Sequence, residues 1–278
     1  MVQSTALCFV AYYPSSALVA SIQLGLSEGY TVYVYDNTPN GDDQLSKILS
    51  PDFVCLGSGK NEGMGIALNE LGQHIAAEKH SHALYFDQDT LFTAASLQWI
   101  NAWMALHTAD LTNAAVVHFQ ANTQQTTPEN SSMQNAYFLI SSGSLFGLEA
   151  LKKMGWHSRS YFLECVDYEL CARAHFANLA VLKVQGCPGL DHESLQPQDE
   201  ARIMGKKIGF RLYPWIRIYS FIIGLAGLSF TALRKGHLVF AWKCFRNILT
   251  HTVTQLFAVF LWGIKKRQEK WLLFDLQQ

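Results

Sequence analysis

Residues 82–90 read HALYFDQDT, a short apolar run that passes directly into two carboxylates, Asp87 and Asp89. The run fits a buried strand. On an extended chain, side chains two apart point the same way, so both carboxylates face one side. Such a pair just past a buried strand is tolerable when a divalent cation sits between it and a bound phosphate. The plainer alternative is two solvated loop aspartates, and the stretch alone leaves both open. An EF-hand is excluded, because no D-x-D-x-D-G continuation follows.

Upstream, 5–13 (TALCFVAYY) is a second apolar run, ended by Pro14-Ser15-Ser16, with a helix over 17–28 that Gly29 can end. Residues 30–35 (YTVYVY) form a strand that runs into the loop Asp36-Asn37-Thr38-Pro39-Asn40-Gly41. A short helix at 43–49, a strand around 52–56, the glycine-rich segment 57–65 and a helix through 66–79 lead back to residue 82. This βαβα order predicts an α/β fold, a mostly parallel, doubly wound sheet with helices on both faces. Ligands of such sheets bind at the carboxyl ends of the strands, where Asp36 and Asp87 both stand. Downstream, the pattern predicts a helix near 94–107, a strand near 114–119, a polar loop at 120–134 and a strand near 136–140.

Three further clusters carry chemistry. Glu164-Cys165-Val166-Asp167-Tyr168-Glu169 puts three carboxylates at the start of a helix. Acids there are favoured by the helix dipole, and Glu169 pairs with Arg173 at i,i+4. Asp167 and Glu164 remain for function, where a carboxylate beside a cleft can take a proton from a hydroxyl nucleophile. His192, in Gly189-Leu190-Asp191-His192-Glu193, follows a strand at 179–185. It reads either as a surface histidine or as a third ligand in a mixed oxygen and imidazole set suited to Mn²⁺ or Mg²⁺. Asn61-Glu62-Gly63-Met64-Gly65, with Asn69 beyond, opens a helix and reads as a cap or as a place for a phosphate or ribose. It lacks the third glycine of a dinucleotide fingerprint and the Gly-Lys-Ser/Thr of a P-loop.

The chain has 278 residues, 49% hydrophobic and 15% charged, enough for one large domain with an appendage and too apolar for a disordered protein. Its net charge of -1 hides a split. Residues 1–200 hold 8 Lys and Arg against 20 Asp and Glu, whereas 201–278 hold 13 against 2. The basic part contains two apolar runs, 215–233 and 247–264, flanked by Lys206-Lys207-Arg211, Arg234-Lys235 and Lys265-Lys266-Arg267. These read as helices lying on an anionic membrane surface in preference to core helices or a span. Six scattered cysteines without a C-x-x-C pair fit reduced thiols in the cytosol. No basic residue precedes Lys47, so the apolar start does not read as a signal peptide.

Taken in order, these pieces resemble the inverting glycosyltransferases of family 2, in their rhamnosyltransferase-like branch, over about residues 5–220. The matching stretches are Tyr13-Pro14, V-Y-D-N at 34–37, N-x-G-x-G-x-A-x-N at 61–69 and Y-F-D-Q-D-T at 85–90. S-S-G-S-L-F at 141–146, F-L-E-C-V-D-Y-E-L-C-A-R at 162–173, L-D-H at 190–192 and FRLYPWIRIY at 210–219 continue the series. The chain differs from the branch at Leu170, where Trp is usual, at Glu164, where Asp is commoner, and at Ser220-Phe221, where Arg-Asn is common.

The resemblance implies a GT-A fold, assigned to 1–205, while the basic charge and apolar runs mark 206–278 as a helical extension. It implies a nucleotide-sugar donor (dTDP- or UDP-linked, with rhamnose favoured) placed by Asp36, Asn37, Asn61, Gly63 and Asp87. It further implies a Mg²⁺ or Mn²⁺ ion on Asp87, Asp89 and His192, with Asp167 as general base and Glu164 beside it. The acceptor would be a lipid-linked saccharide of bacterial surface polysaccharide, at the cytoplasmic face of the cell membrane. A nucleotidyltransferase would want a basic phosphate loop after the first strand, where Tyr12 to Ser16 hold no Lys or Arg. A non-catalytic saccharide-binding protein on the same fold remains the alternative from another class. Nucleic acid is disfavoured as a partner, because the basic tail is as aliphatic as it is aromatic.

Overall fold

The computed structural model describes residues 4–121, 126–192, 197–203 and 206–275. The chain divides into two compact units, one ending at His192 and one beginning at Glu193.

In the first unit, β1 (Thr5–Ala11), β2 (Val32–Asp36), β3 (Phe53–Leu56) and β4 (His82–Asp87) pair in parallel. Between them run α1 (Ser16–Ser27) and α2 (Gly63–Ala77). The short β5 (Thr90–Leu91), α3 (Ala94–Leu106) and α4 (Thr108–Leu111) lead to β6 (Ala114–Ala121) and β7 (Ser132–Asn135). Then come β8 (Ser144–Gly147), α5 (Leu148–Met154), α6 (Val166–Phe176), β9 (Ala180–Cys187) and β10 (Asp191–His192). The main sheet has the order β3-β2-β1-β4-β8-β6-β9-β7, and only β8 and β7 run against the rest. The expected mostly parallel, doubly wound architecture is present.

Period-two alternation divides the core between the two sheet faces. Leu7, Phe9, Val32, Val34, Leu84 and Phe86 pack with Leu18 and Ile22 of α1 and with Leu97 and Trp103 of α3. Cys8, Val10, Tyr33, Tyr35 and Tyr85 pack with Leu71 and Ile75 of α2, Leu148 of α5 and Leu170 of α6.

Three expected elements differ, the first being the polar loop at 120–134, whose end forms β7 (Ser132–Asn135). Only a single 3₁₀ turn, Leu45–Lys47, stands where a helix over 43–49 was expected. The strand expected over 136–140 is absent, since pairing with β9 ends as the Ala136 N–H reaches the Val181 carbonyl. Beyond it Tyr137 and Phe138 lay their rings on His175 and Tyr168 of α6, so these aromatics pack on a helix instead of entering the sheet.

The second unit holds the hairpin β11 (Asp199–Ile203) and β12 (Lys206–Phe210), then α7 (Trp215–Arg234) and α8 (Leu238–Asp275). The division falls earlier than the expected 205/206 boundary. The hairpin belongs to the second unit because its Ala201 and Phe210 are buried with Ala258 and Leu261 of α8.

Candidate active site

The carboxyl ends of the parallel strands bring the first carboxylates together. In the sheet register Asp36 stands opposite Ala11 on one side of β1, and Asp87 opposite Val10 on the other. Asp36 is buried, and its two oxygens accept the backbone N–H groups of Thr38 (2.8 Å) and Asp42 (2.7 Å), which folds the loop after β2. Asn37 is buried too. Its carbonyl accepts the Glu62 N–H at 3.1 Å, and its amide reaches the Gly63 carbonyl at 3.3 Å. Asn61 caps the turn into α2 by accepting the Gly63 N–H at 3.1 Å. These residues hold one another at the mouth of the sheet.

Gly63 and Gly65 have a role that capping alone does not describe. The Met64 N–H donates to the Phe162 carbonyl at 2.6 Å, and the Gly65 N–H to the Tyr161 carbonyl at 3.1 Å. A Cβ at Gly63 (φ +80) would lie 2.4 Å from the Phe162 carbonyl oxygen, and one at Gly65 would lie 2.3 Å from that of Tyr161. Asn69 adds a bond from its amide to the His157 carbonyl at 2.6 Å. The first turns of α2 are thus occupied by the segment 157–162, which leads into the acidic cluster. The chain then turns through Cys165 in the left-handed region (φ 65) and enters α6 with Asp167 in the first turn. A non-glycine residue there carries a backbone cost of about 1 kcal/mol or more, which the surrounding packing sustains.

Two adjacent serines tie the Asp167 carboxylate to the backbone at Asp87. Ser141 donates its hydroxyl to Asp167 Oδ1, and its backbone N–H also bonds the carboxylate. The Asp87 N–H donates to Ser142 Oγ at 2.8 Å, and Thr90 Oγ1 lies 2.7 Å from the same oxygen. Asp87 Oδ1 accepts the Tyr85 hydroxyl at 2.8 Å. Burial pushes the Asp87 carboxyl up to about 7, and the charges of Asp167 and Asp89 add to the rise against the lowering effect of Tyr85. Burial also raises the Asp167 carboxyl, opposed by the two bonds from Ser141 and reinforced by Glu164. Asp87 and Asp167 therefore lie close enough to sense each other. Asp89 is exposed. Glu169 is engaged by Arg173, which grips it through Nε (2.6 Å) and a terminal nitrogen (2.8 Å).

The backbone of His192 pairs antiparallel with Thr90, next to Asp89, while its side chain lies outside the described residues. Among the described residues no group of three His, Cys, Asp or Glu side chains stands ready for a metal ion. The donors still fit a hard cation. Asp87 and Asp89 offer carboxylate oxygens whose mutual repulsion a cation relieves, and a Mg²⁺-type ion held by a diphosphate needs only one or two protein carboxylates.

Sequence reasoning passed over Ser141, Ser142 and Gln88 as site residues. Gln88 links the site to β1, accepting the Tyr12 N–H (2.8 Å) and donating to the Tyr12 carbonyl (3.2 Å). Beside it Tyr12 and Tyr13 are exposed with their rings 4.6 Å apart, and Tyr13 adopts φ 47. The signal in the sequence was two small hydroxyl residues where a buried strand is about to begin. What stayed hidden was that β8 runs antiparallel beside β4.

No family profile matches the chain, and no characterised protein matches it by sequence. Solved structures do match it. The crystal structure of S. aureus TarS superposes with a TM-score of 0.57 at 11% identity, covering 88% of this chain and 43% of that one. Residues 1–349 of TarS in complex with UDP-GlcNAc give 0.54 at 11% identity, covering 88% and 71%. GalNAc-T7 with UDP, GalNAc and Mn²⁺ gives 0.52 at 10% identity, covering 81% and 48%. The chain thus spans less than half the length of the TarS and GalNAc-T7 chains. At this identity the likeness is one of architecture: with its three parallel strands beside β4 and its antiparallel β8 beyond, the first unit has the GT-A fold.

Proposed function

We propose that the chain is an inverting glycosyltransferase. It would move a sugar from a nucleoside diphosphate donor to a hydroxyl of a lipid-linked saccharide at the cytoplasmic face of a bacterial membrane. The observation that carries the reading is that two aspartates, Asp87 and Asp167, lie close enough at the carboxyl edge of the sheet for the charge of Asp167 to raise Asp87, with Ser141 bonding the Asp167 carboxylate and Ser142 the Asp87 backbone N–H. A displacement on a nucleotide sugar needs one place for the diphosphate and one base, and the two carboxylates have different surroundings suited to each.

In this reading the loop built by Asp36, Asn37, Asn61 and Gly63 shapes the nucleotide side, with Tyr12 and Tyr13 exposed beside it. Asp167 takes the proton of the acceptor hydroxyl. That oxygen attacks the anomeric carbon, and the bond from this carbon to the diphosphate oxygen breaks with inversion. A carboxyl raised by burial is better matched to a proton transfer near neutral pH than an ordinary aspartate. Glu164 lies next to the base on the acceptor side. Asp87 and Asp89, with His192, would hold a Mg²⁺ or Mn²⁺ ion, which when bound neutralises charge on the leaving diphosphate.

The order of motifs favours dTDP-rhamnose as donor, whereas the UDP-GlcNAc bound to the TarS neighbour favours a UDP-sugar. Thermal shift with dTDP and with UDP, each with and without Mn²⁺, separates them, since a ligand of the native state raises the melting temperature. Asp167→Asn should abolish transfer and leave donor binding intact. Turnover retained in that variant would remove Asp167 as the base. No shift with any nucleotide would leave the non-catalytic saccharide-binding protein.

A further inference from the structure

In the second unit, α7 and α8 are each long and apolar enough to cross a membrane, and only 22% and 17% of their apolar stretches are buried. Their pairing register decides whether they do so together. The two run antiparallel, joined through Gly236 at φ 81. Ser229 Oγ donates to the Ala241 carbonyl (3.1 Å), the Phe221 ring lies 4.4 Å from that of His251, and the Tyr213 N–H donates to Gln255 (3.0 Å).

This register sets Lys243 and Arg246 level with Gly227 and Gly224, midway along the uncharged run 218–233 of α7. It sets Arg217 level with Val253, inside the uncharged run 247–264 of α8. The height over which neither helix carries a charge is only about six residues, or ~9 Å. A hydrocarbon core is ~30 Å thick.

Most exposed side chains are sorted by side. Trp215, Tyr219, Ile223, Phe230 and Leu233 recur at helical spacing along one flank of α7. Trp242, Phe245, Leu249, Val253, Leu256 and Phe260 do the same on α8. At ~100° per residue, Arg217 and Thr231 fall on the other exposed flank of α7, and the half-buried Lys243 with the exposed Thr250 and Thr254 on that of α8, while the exposed Arg246 borders the apolar stripe. The antiparallel pairing puts both apolar flanks on the same side of the pair. Basic side chains lie along aromatic ones: Arg217 over Tyr213 (5.0 Å), Arg234 over Phe230 (5.7 Å) and Lys266 over Trp262 (5.9 Å).

We infer that the α7–α8 pair lies flat in a single anionic lipid leaflet, with both apolar stripes in the acyl region and its basic flank among the headgroups, and does not cross the bilayer. Charge selects the occupant. Residues 201–278 carry 13 basic residues against 2 acidic ones, so a second copy would bring the same charge to the same face. An anionic surface complements it. The inference rests on the second unit alone and needs neither donor nor acceptor, so it stands or falls apart from the transferase reading.

The test is flotation of the full chain with phosphatidylcholine vesicles, with and without phosphatidylglycerol. Binding should be far stronger with the anionic lipid; equal binding to the neutral vesicles would overturn the choice of surface. Leu249→Glu with Leu256→Glu should cut partitioning by roughly tenfold or more per leucine. Thr231→Lys with Thr254→Lys, on the opposite flank among the headgroups, should keep or strengthen it. If the threonine pair abolishes binding as the leucine pair does, lipid surrounds the helices and the flat arrangement is wrong. Light scattering without lipid should show a monomer. A dimer that Leu249→Glu with Leu256→Glu dissociates would assign the stripe to a second copy. All four positions are exposed, so the variants should keep the wild-type circular dichroism.

Discussion

Asp167 is held by a serine, and that contact sets when the carboxylate is available as a base. Both Ser141 bonds favour the charged form, against burial, which opposes it. Ser141→Ala removes the hydroxyl bond and keeps the backbone one, so the Asp167 carboxyl should rise further. The acid limb of kcat/KM should then move up by roughly one pH unit, the worth of a hydrogen bond to a charged group. Ser141→Thr should restore the profile, and an unmoved limb would show that the serine only packs. His157 allows a second prediction. It is buried with neither ring nitrogen hydrogen-bonded among the described residues, and burial together with the Arg173 charge lowers it to about 3. A histidine neutral in the fold but protonated when unfolded lends stability that is complete above pH ~6.5 and is lost as pH falls toward the folded value. His157→Phe should therefore flatten the acid side of the stability curve, removing up to about 2 kcal/mol of loss between pH ~6.5 and ~5 in urea unfolding. Asp167 could be found in the sequence because acids cluster before an apolar helix. Ser141 could not, because its partner is fixed by how β8 and α6 meet.

The elements that alternation and helical spacing define most clearly are those that form: β1, β2, β4, α2 and α3 stand close to where the sequence puts them. The segment 136–140 went astray because a distant partner decides it, α6 drawing its aromatics out of the sheet, whereas at 43–49 Asp42 accepts the N–H groups of Gln44 and Leu45 and only a single 3₁₀ turn, Leu45–Lys47, forms. The start of α2 lies between these cases. Gly63 and Gly65 read locally as a cap, yet their lack of side chains serves the segment 157–162 that crosses them. Alanine at Gly65 would gain about 1 kcal/mol of helix propensity. It would also force its Cβ against the carbonyl oxygens of Tyr161 and Ser158, 2.3 and 2.4 Å away, where only backbone can yield. Overpacking of that kind costs about 1–3 kcal/mol or more, so the clash should win. Gly65→Ala should lower the urea midpoint, and under the proposed mechanism it should cut kcat more than it weakens nucleotide binding, because the displaced segment leads to Asp167. A variant as stable and active as the wild type would show that the segment yields without consequence.

At the scale of the whole chain, the charge split is visible in the sequence, and it coincides with a change in architecture from an acidic α/β unit to a basic helical one. The place of the division was hidden, since nothing in residues 199–210 announces that the hairpin buries its apolar side against α8, some fifty residues further on. The same split separates two forces acting on membrane attachment. Apolar burial does not weaken with salt, whereas attraction between basic side chains and anionic headgroups is screened once the Debye length shrinks from ~10 Å at 0.1 M to ~3 Å at 1 M. Attachment through both should show two components in a flotation assay. Raising NaCl over that range should lower binding to anionic vesicles toward the weak level seen on neutral ones, leaving a small bound fraction that is the same at every anionic content. That residue should vanish when Leu249→Glu and Leu256→Glu are added, because the salt-resistant part belongs to the stripes. Binding that salt leaves untouched at every lipid composition would mean that the basic residues of the second unit contribute nothing to attachment, and their clustering would then need another partner.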